Sequence, residues 1–114
     1  MSVQVNNPAI TVVAGEALAA RRLVKADGTY ADLGTTRDYV GITQEPRASG
    51  EQTPVRLTSA GTAIMVASAA VTTQTVVYKA NDGKVSNVST GSIRVGIALE
   101  AASGDGVEFQ VLPD

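Results

Sequence analysis

The chain contains one stretch twice. Val95–Leu112 reads VGIALEAASGDGVEFQVL, and Val40–Leu57 reads VGITQEPRASGEQTPVRL. Each copy is a run of alternating character, a turn of small residues, and a second alternating run. Val95, Ile97 and Leu99 alternate with Gly96, Ala98 and Glu100; Val107, Phe109 and Val111 alternate with Glu108 and Gln110. A period of two over so short a run is the pattern of a strand with one buried face. On this pattern the last pair packs a core through Val95, Ile97, Leu99, Phe109 and Val111.

The duplication extends beyond these stretches. Ile10 and Val12 fall on Ile64 and Val66, and Lys25-Ala26 on Lys79-Ala80, at an offset of 54. Asn81 is then an extra residue, so Asp27-Gly28 meets Asp82-Gly83 and Val40-Gly41-Ile42 meets Val95-Gly96-Ile97 at an offset of 55. A residue more in the first turn restores 54, where Ala48-Ser49-Gly50 meets Ala102-Ser103-Gly104. Two copies fall short of the three or so that a solenoid needs. The expectation is an all-β domain, residues 10–114, in which two similar half-barrels (10–57 and 64–111) pack face to face around one core.

Composition supports that class. Sixteen valines and twelve threonines supply β-branched side chains, and no long segment carries helical periodicity. Strands are expected over 10–14, 17–25, 30–33, 38–45, 53–58, 62–67, 75–80, 84–88 and 93–101, and over the run that closes the chain. Helix competes only at Ala17–Lys25, ALAARRLVK. Its repeat partner Val71–Lys79, VTTQTVVYK, is rich in β-branched residues, so both are expected to be strands. Asp27-Gly28 and Asn81-Asp82-Gly83 are turns that draw on glycine at positive φ. Residues 1–9, MSVQVNNPA, read as an extended arm: Val3 and Val5 alternate with polar neighbours until Asn6-Asn7-Pro8 breaks the run.

Catalytic chemistry finds little to work with. Histidine and cysteine are both absent, which removes the commonest general base, the thiol nucleophile and zinc sites built on nitrogen and sulfur. Only Lys25, Lys79 and Lys84 are available to activate a hydroxyl. Asp27 with Asp32, or Asp82 and Asp105, supply oxygen ligands for calcium, but their spacing is not that of an EF-hand and Asp-Gly is first a turn signal. Glu45 and Glu100 are repeat equivalents on the polar side of alternating strands, where a solvated carboxylate is ordinary. The expectation is a protein that is not an enzyme and holds neither cofactor nor metal.

Nine basic and eleven acidic residues are interspersed, with Arg21, Arg22 and Lys25 the one basic cluster, so no nucleic-acid footprint is expected. The lack of cysteine fits synthesis in a cytoplasm, and no apolar run reaches the ~20 residues of a membrane span.

The order and spacing of the small motifs resemble the capsid decoration (cement) proteins of tailed bacteriophages. The residues that carry the resemblance are Gly15, Val24-Lys25, Asp27-Gly28, Val40-Gly41-Ile42, Gly96–Ala102 and Gly104-Asp105 with Val107, Phe109 and Val111. The extra Gly106 before Val107 is a departure confined to a turn. The resemblance implies a compact antiparallel β-barrel or β-tulip-like domain with an N-terminal arm. It implies a structural virion protein on the capsid exterior, a homotrimer partnered by the major capsid protein, that stabilises the shell. Ser2, Val3, Gln4, Val5, Asn6, Asn7 and Pro8 are then the expected capsid-binding residues. The alternative is a virion-surface module that presents Thr35–Asp38 or Ser89–Ser92 to host carbohydrate, a reading weakened by having only three tyrosines for stacking.

Overall fold

A computed structural model describes residues 9–58 and 61–114. Over these the chain is all-β, in two antiparallel sheets. The first holds β1 (Ala9–Val13), β2 (Leu23–Lys25), β3 (Tyr39–Thr43) and β4 (Gln52–Leu57), in the order β1-β4-β3-β2. The second holds β5 (Ala63–Val66), β6 (Val76–Lys79), β7 (Val85–Ser86), β8 (Arg94–Ala98) and β9 (Glu108–Pro113), in the order β5-β9-β8-β6-β7. Dropping β7, the two orders are the same, so the duplication read in the sequence is a duplication of topology. The arm expected over residues 1–9 lies outside the described residues except for Ala9, which begins β1.

Strand register corrects the alignment of the halves. Leu23 pairs with Ile42 as Val76 pairs with Ile97, Val12 with Thr53 as Met65 with Phe109, and Gly41 with Leu57 as Gly96 with Pro113. The true offsets are therefore 53 for the first two strands of each half, 55 for the third and 56 for the fourth. A bulge follows Val24 and another follows Val77, again 53 apart. Matching Ile10 to Ile64 and Lys25 to Lys79 was a slip of one residue, and one residue is enough to exchange the faces of a strand.

The segment 17–25 is not one strand. Leu18 bridges Arg47, Arg21 takes a left-handed φ of 63°, and only Leu23–Lys25 is strand. Val71 bridges Ala102, Gln74 has φ 64°, and β6 follows in the same manner. The left-handed residue turns the chain so that one segment serves both a loop and the sheet: Leu18 N donates to Arg47 O, Arg21 N to Thr43 O. Expected strands at 30–33 and 84–88 shrink to a bridge between Tyr30 and Val24 and to the two residues of β7.

Each half has its own five-residue core. Val12, Ala14, Leu18, Val24 and Val55 form a buried cluster in the first half. Their register equivalents Met65, Ala67, Val71, Val77 and Val111 are all buried in the larger cluster of the second. The second sheet curls until Ala67 bridges Val85, bringing its two ends together. Leu23, Ala31, Tyr39 and Ile42 of the first half join that second cluster. The halves thus pack head to tail, not face to face. Leu23 and Ile42 are fully buried, while the equivalent Val76 and Ile97 are only half-buried. For the same reason the expected core of the last pair holds for Val95, Phe109 and Val111 but not for Leu99, which is 41% exposed on the face that the second half leaves open.

The repeated Val-Gly-Ile has a steric cause. A Cβ on Gly41 would stand 2.3 Å from Arg56 O, and one on Gly96 2.2 Å from Leu112 O, because the paired strands β4 and β9 bring their backbone carbonyls against these positions. Backbone cannot yield as a side-chain tip can. Gly41→Ala and Gly96→Ala should each cost about 3 kcal/mol or more, lowering the melting temperature by more than about 10 °C. Gly104→Ala, which meets no atom within 4 Å, should melt within about 2 °C of the parent. Thermal denaturation followed by circular dichroism decides between these outcomes.

Candidate functional site

The carboxylates singled out in the sequence have local duties. Asp27 accepts from Thr29 N at 3.0 Å and Thr29 Oγ1 at 2.6 Å, bonds that lower its pKa, and so completes its turn. The Lys84 ammonium, 2.8 Å from Asp105, donates to that carboxylate and holds its pKa down. Asp32 accepts from Asp82 N at 2.9 Å. Among the described residues no three His, Cys, Asp or Glu side chains gather as a metal site would require. Glu45 pairs with Arg47 at 2.9 Å, and Glu100 accepts from Gln110 N at 2.9 Å. These two glutamates follow strands of different sheets and are not brought together as an acid/base pair.

The basic cluster is divided. Arg21 donates to Gln44 Oε1 at 2.9 Å. Arg22 stacks over Tyr30, 5.7 Å from the ring centroid, and reaches Asp82 O at 2.9 Å. Two of the three tyrosines are engaged as well: Tyr30 Oη accepts from Ala19 N at 2.7 Å, and Tyr39 Oη from Arg37 Nη1 at 2.6 Å. Burial pushes the Tyr39 phenol above its ordinary pKa of 10.0, against the opposing pull of Arg37.

Of the two loops read as display loops, Thr35–Asp38 bonds across the seam between the halves, while Ser92 bonds within the second half. Lys79 is 1% exposed. Its ammonium donates to Thr36 O and forms an ion pair with Asp38 at 2.9 Å, while Ser92 Oγ donates to Lys79 O at 2.7 Å. Around it, Gly83 N donates to Ala31 O at 3.0 Å, Leu33 N to Asn81 Oδ1 at 3.1 Å and Arg37 Nη2 to Arg94 O at 3.0 Å. Asn81, the extra residue of the second half, is thus a seam contact. Nothing in the sequence marked Lys79 as buried, since its nearest match, Lys25, is a turn-side lysine.

At one end of the seam lies a cleft of about 210 Å³. Arg21, Gln44 and Arg56 line one side and Thr62, Ala63, Ile64 and Gln110 the other. Its groups donate and accept hydrogen bonds, but its only ionisable groups are guanidiniums, which do not exchange protons near neutral pH. Apolar exposure lies elsewhere: Ile10 and Val13 on β1, the end strand of the first sheet, Leu99 and Leu112 on the second half, and Leu33 and Val88 in loops. Ser2–Pro8 lie outside the described residues, and the chain leaves them to enter the first sheet at that end strand. Among the described residues no helix is long and apolar enough to cross a membrane.

A family model for phage cement proteins matches residues 3–113, spanning both halves. No curated protein matches the chain. Among solved structures, the N base of the head fiber gp8.5 in bacteriophage phi29 is similar, with a TM-score of 0.74 over 93% of this chain and 92% of that one. At 19% identity the likeness is one of fold.

Two outcomes follow from the seam. Asp38→Ala strands a buried ammonium with one partner and should cost about 2 kcal/mol, below the ~3–5 of a fully buried pair because solvent reaches Asp38. Lys79→Met leaves a carboxylate that water can solvate and should cost under about 1 kcal/mol. Urea midpoints that ranked the two variants the other way would contradict the burial of Lys79 as the governing cost. Tyr39 adds a pH dependence. The fold favours its neutral phenol, so that contribution is complete below pH 10.0 and is lost as pH rises past it. Melting temperatures above pH 10 should fall less steeply for Tyr39→Phe than for the parent.

Proposed function

Since the chain belongs to the phage cement protein family, a family of capsid-binding structural virion proteins, we propose that it clamps an assembled head from outside and does no chemistry. The observation that carries this reading is the family match over residues 3–113, which takes in both halves and the seam that joins them. A protein that binds the assembled shell and not its separated subunits stabilises the shell by mass action. The seam supports the role, since it holds the two halves as one body on which load can be borne.

In this reading the partner is the major capsid protein, met at the capsid exterior after synthesis in the host cytoplasm. The protein acts as a homotrimer, whose three attachments gain from multivalency. Ser2–Pro8 add as a strand to an exposed capsid edge, with Val3 and Val5 directed inward, by β-augmentation. The carbohydrate alternative draws no support from the loops assigned to it, because Thr36 and Asp38 hold Lys79 and Ser92 caps its strand.

The test uses heads assembled without this protein, to which the full chain or a chain lacking residues 1–8 is added. The full chain should bind and raise the temperature at which DNA is released. The shortened chain should keep its own melting temperature but lose at least about tenfold in affinity, equivalent to 1.4 kcal/mol. Full occupancy with an unchanged release temperature would refute clamping. Unchanged occupancy by the shortened chain would refute the arm.

A further inference from the structure

The outer surface of the second sheet carries two rows of side chains. The register sets Val76, Ile97 and Leu112 side by side across β6, β8 and β9. Leu99, whose N–H donates to Gln110 O, continues β8 beside β9, and Gln110 stands opposite Ile64 on β5. Phe109 and Val111 are buried in the core, so Gln110, Leu112 and the residues in line with them point outward. None of these six is ionisable. Leu99 and Leu112 are 41% and 45% exposed, while Val76, Ile97 and Ile64 are half-buried. Leu33 and Val88, by contrast, are single exposed residues in loops.

The first half shows what such a face needs. Leu23 and Ile42, the equivalents of Val76 and Ile97, are fully buried in the cluster of the second half. Leu99 and Leu112 stand where the first half has Gln44 and Arg56. The uncovered copy of the face is thus the more apolar of the two, the reverse of what water alone requires. A contiguous apolar surface on a folded chain marks a place where another macromolecule sits. Charged groups border it. Arg94 pairs with Asp114 at 2.6 Å at one end, and Glu100 and Glu108 flank the other. An apolar centre within a charged rim is the layout of a docking interface, and this rim is net acidic.

We propose that this face is where the folded body of the protein docks on the head, against an apolar patch of the shell's outer surface bordered by lysine or arginine. The occupant follows from the family, whose members bind capsids, so the inference rests on the clamping role. It adds a docking surface on the body itself, apart from Ser2–Pro8. The rows lie on hydrogen-bonded strands, so the face is formed before docking and little ordering is paid on contact. The acidic rim speeds the approach to a basic border, an effect that salt weakens.

Heads assembled without this protein test the proposal, with binding measured for the full-length parent and three double variants. Leu99→Ala with Leu112→Ala should bind at least about tenfold more weakly than the parent, and Leu99→Glu with Leu112→Glu more weakly still. Leu33→Glu with Val88→Glu, at exposed apolar positions off the face, should bind as the parent does. All three alter exposed side chains and should melt within a few degrees of the parent. Glu108→Lys should slow association at low ionic strength and much less at high. An unchanged rate would overturn the basic border. Sedimentation velocity without heads should give the parent and the face variants the same mass. An oligomer of the parent that the face variants break up would assign the face to a second copy and overturn the proposal. Heads that take up the face variants as well as the parent would overturn the face and leave the clamping role standing. Heads that take up no parent would overturn both.

Discussion

One buried ammonium ties the two halves of this protein together. Removing a lysine charge from water costs several kcal/mol even after the protein relaxes. Lys79 recovers that cost only from the other half of the chain, through Asp38 and the carbonyl of Thr36. Hydrogen bonds to a charged group are worth about 1.5–3 kcal/mol each, enough in pair to offset much of the penalty. Satisfying Lys79 fixes the segment that leads into β3 at Tyr39, and β3 carries Ile42 into the second half's core beside Leu23. The polar seam and the apolar plug are consequences of the same placement.

Much of this fold is legible in the chain. The repeated VG-I runs, the Asp-Gly turns and the β-branched composition point to two antiparallel units, and the structure has two sheets of matching strand order. Register is less legible. Identical residues drew Ile10 onto Ile64 and Lys25 onto Lys79, yet hydrogen bonding places their equivalents one residue away. In a chain dominated by Val, Ala and Thr, chance identities at neighbouring positions are common, and register is set by bulges and turn lengths that leave weak marks. That single residue accounts for Lys79, matched to Lys25 and found buried, whereas Leu99, read as core from its alternation, is exposed because the second half leaves its face open. The segment 17–25 misled for another reason. Its left-handed residue is an arginine, and its equivalent a glutamine, where a glycine would have announced the turn.

The candidate site was legible mainly by elimination. With no histidine or cysteine, the carboxylates remained, and Asp27, Asp32, Glu45, Glu100 and Asp105 are each held by a turn, a backbone N–H or an ion pair. The family match then supplies the capsid setting that no constellation of side chains could. Divergence between the halves also carries meaning: polar groups gathered where the halves meet, while the equivalent outward positions became Leu99, Leu112 and Ile10. A duplicated unit that remained symmetric would have shown no such difference.

The two sheets share no strand, and that has a kinetic consequence. The first sheet is complete once Leu57 is made, whereas the second waits for β9, at the end of the chain. At about 5–20 residues per second the remaining 57 residues take roughly 3–11 s to synthesise. Throughout that interval Leu23 and Ile42 are present on a formed sheet with nothing to cover them. A neighbouring chain's finished second half would fit them as well as the chain's own. The order of the halves along the chain therefore decides which half waits with its apolar plug uncovered.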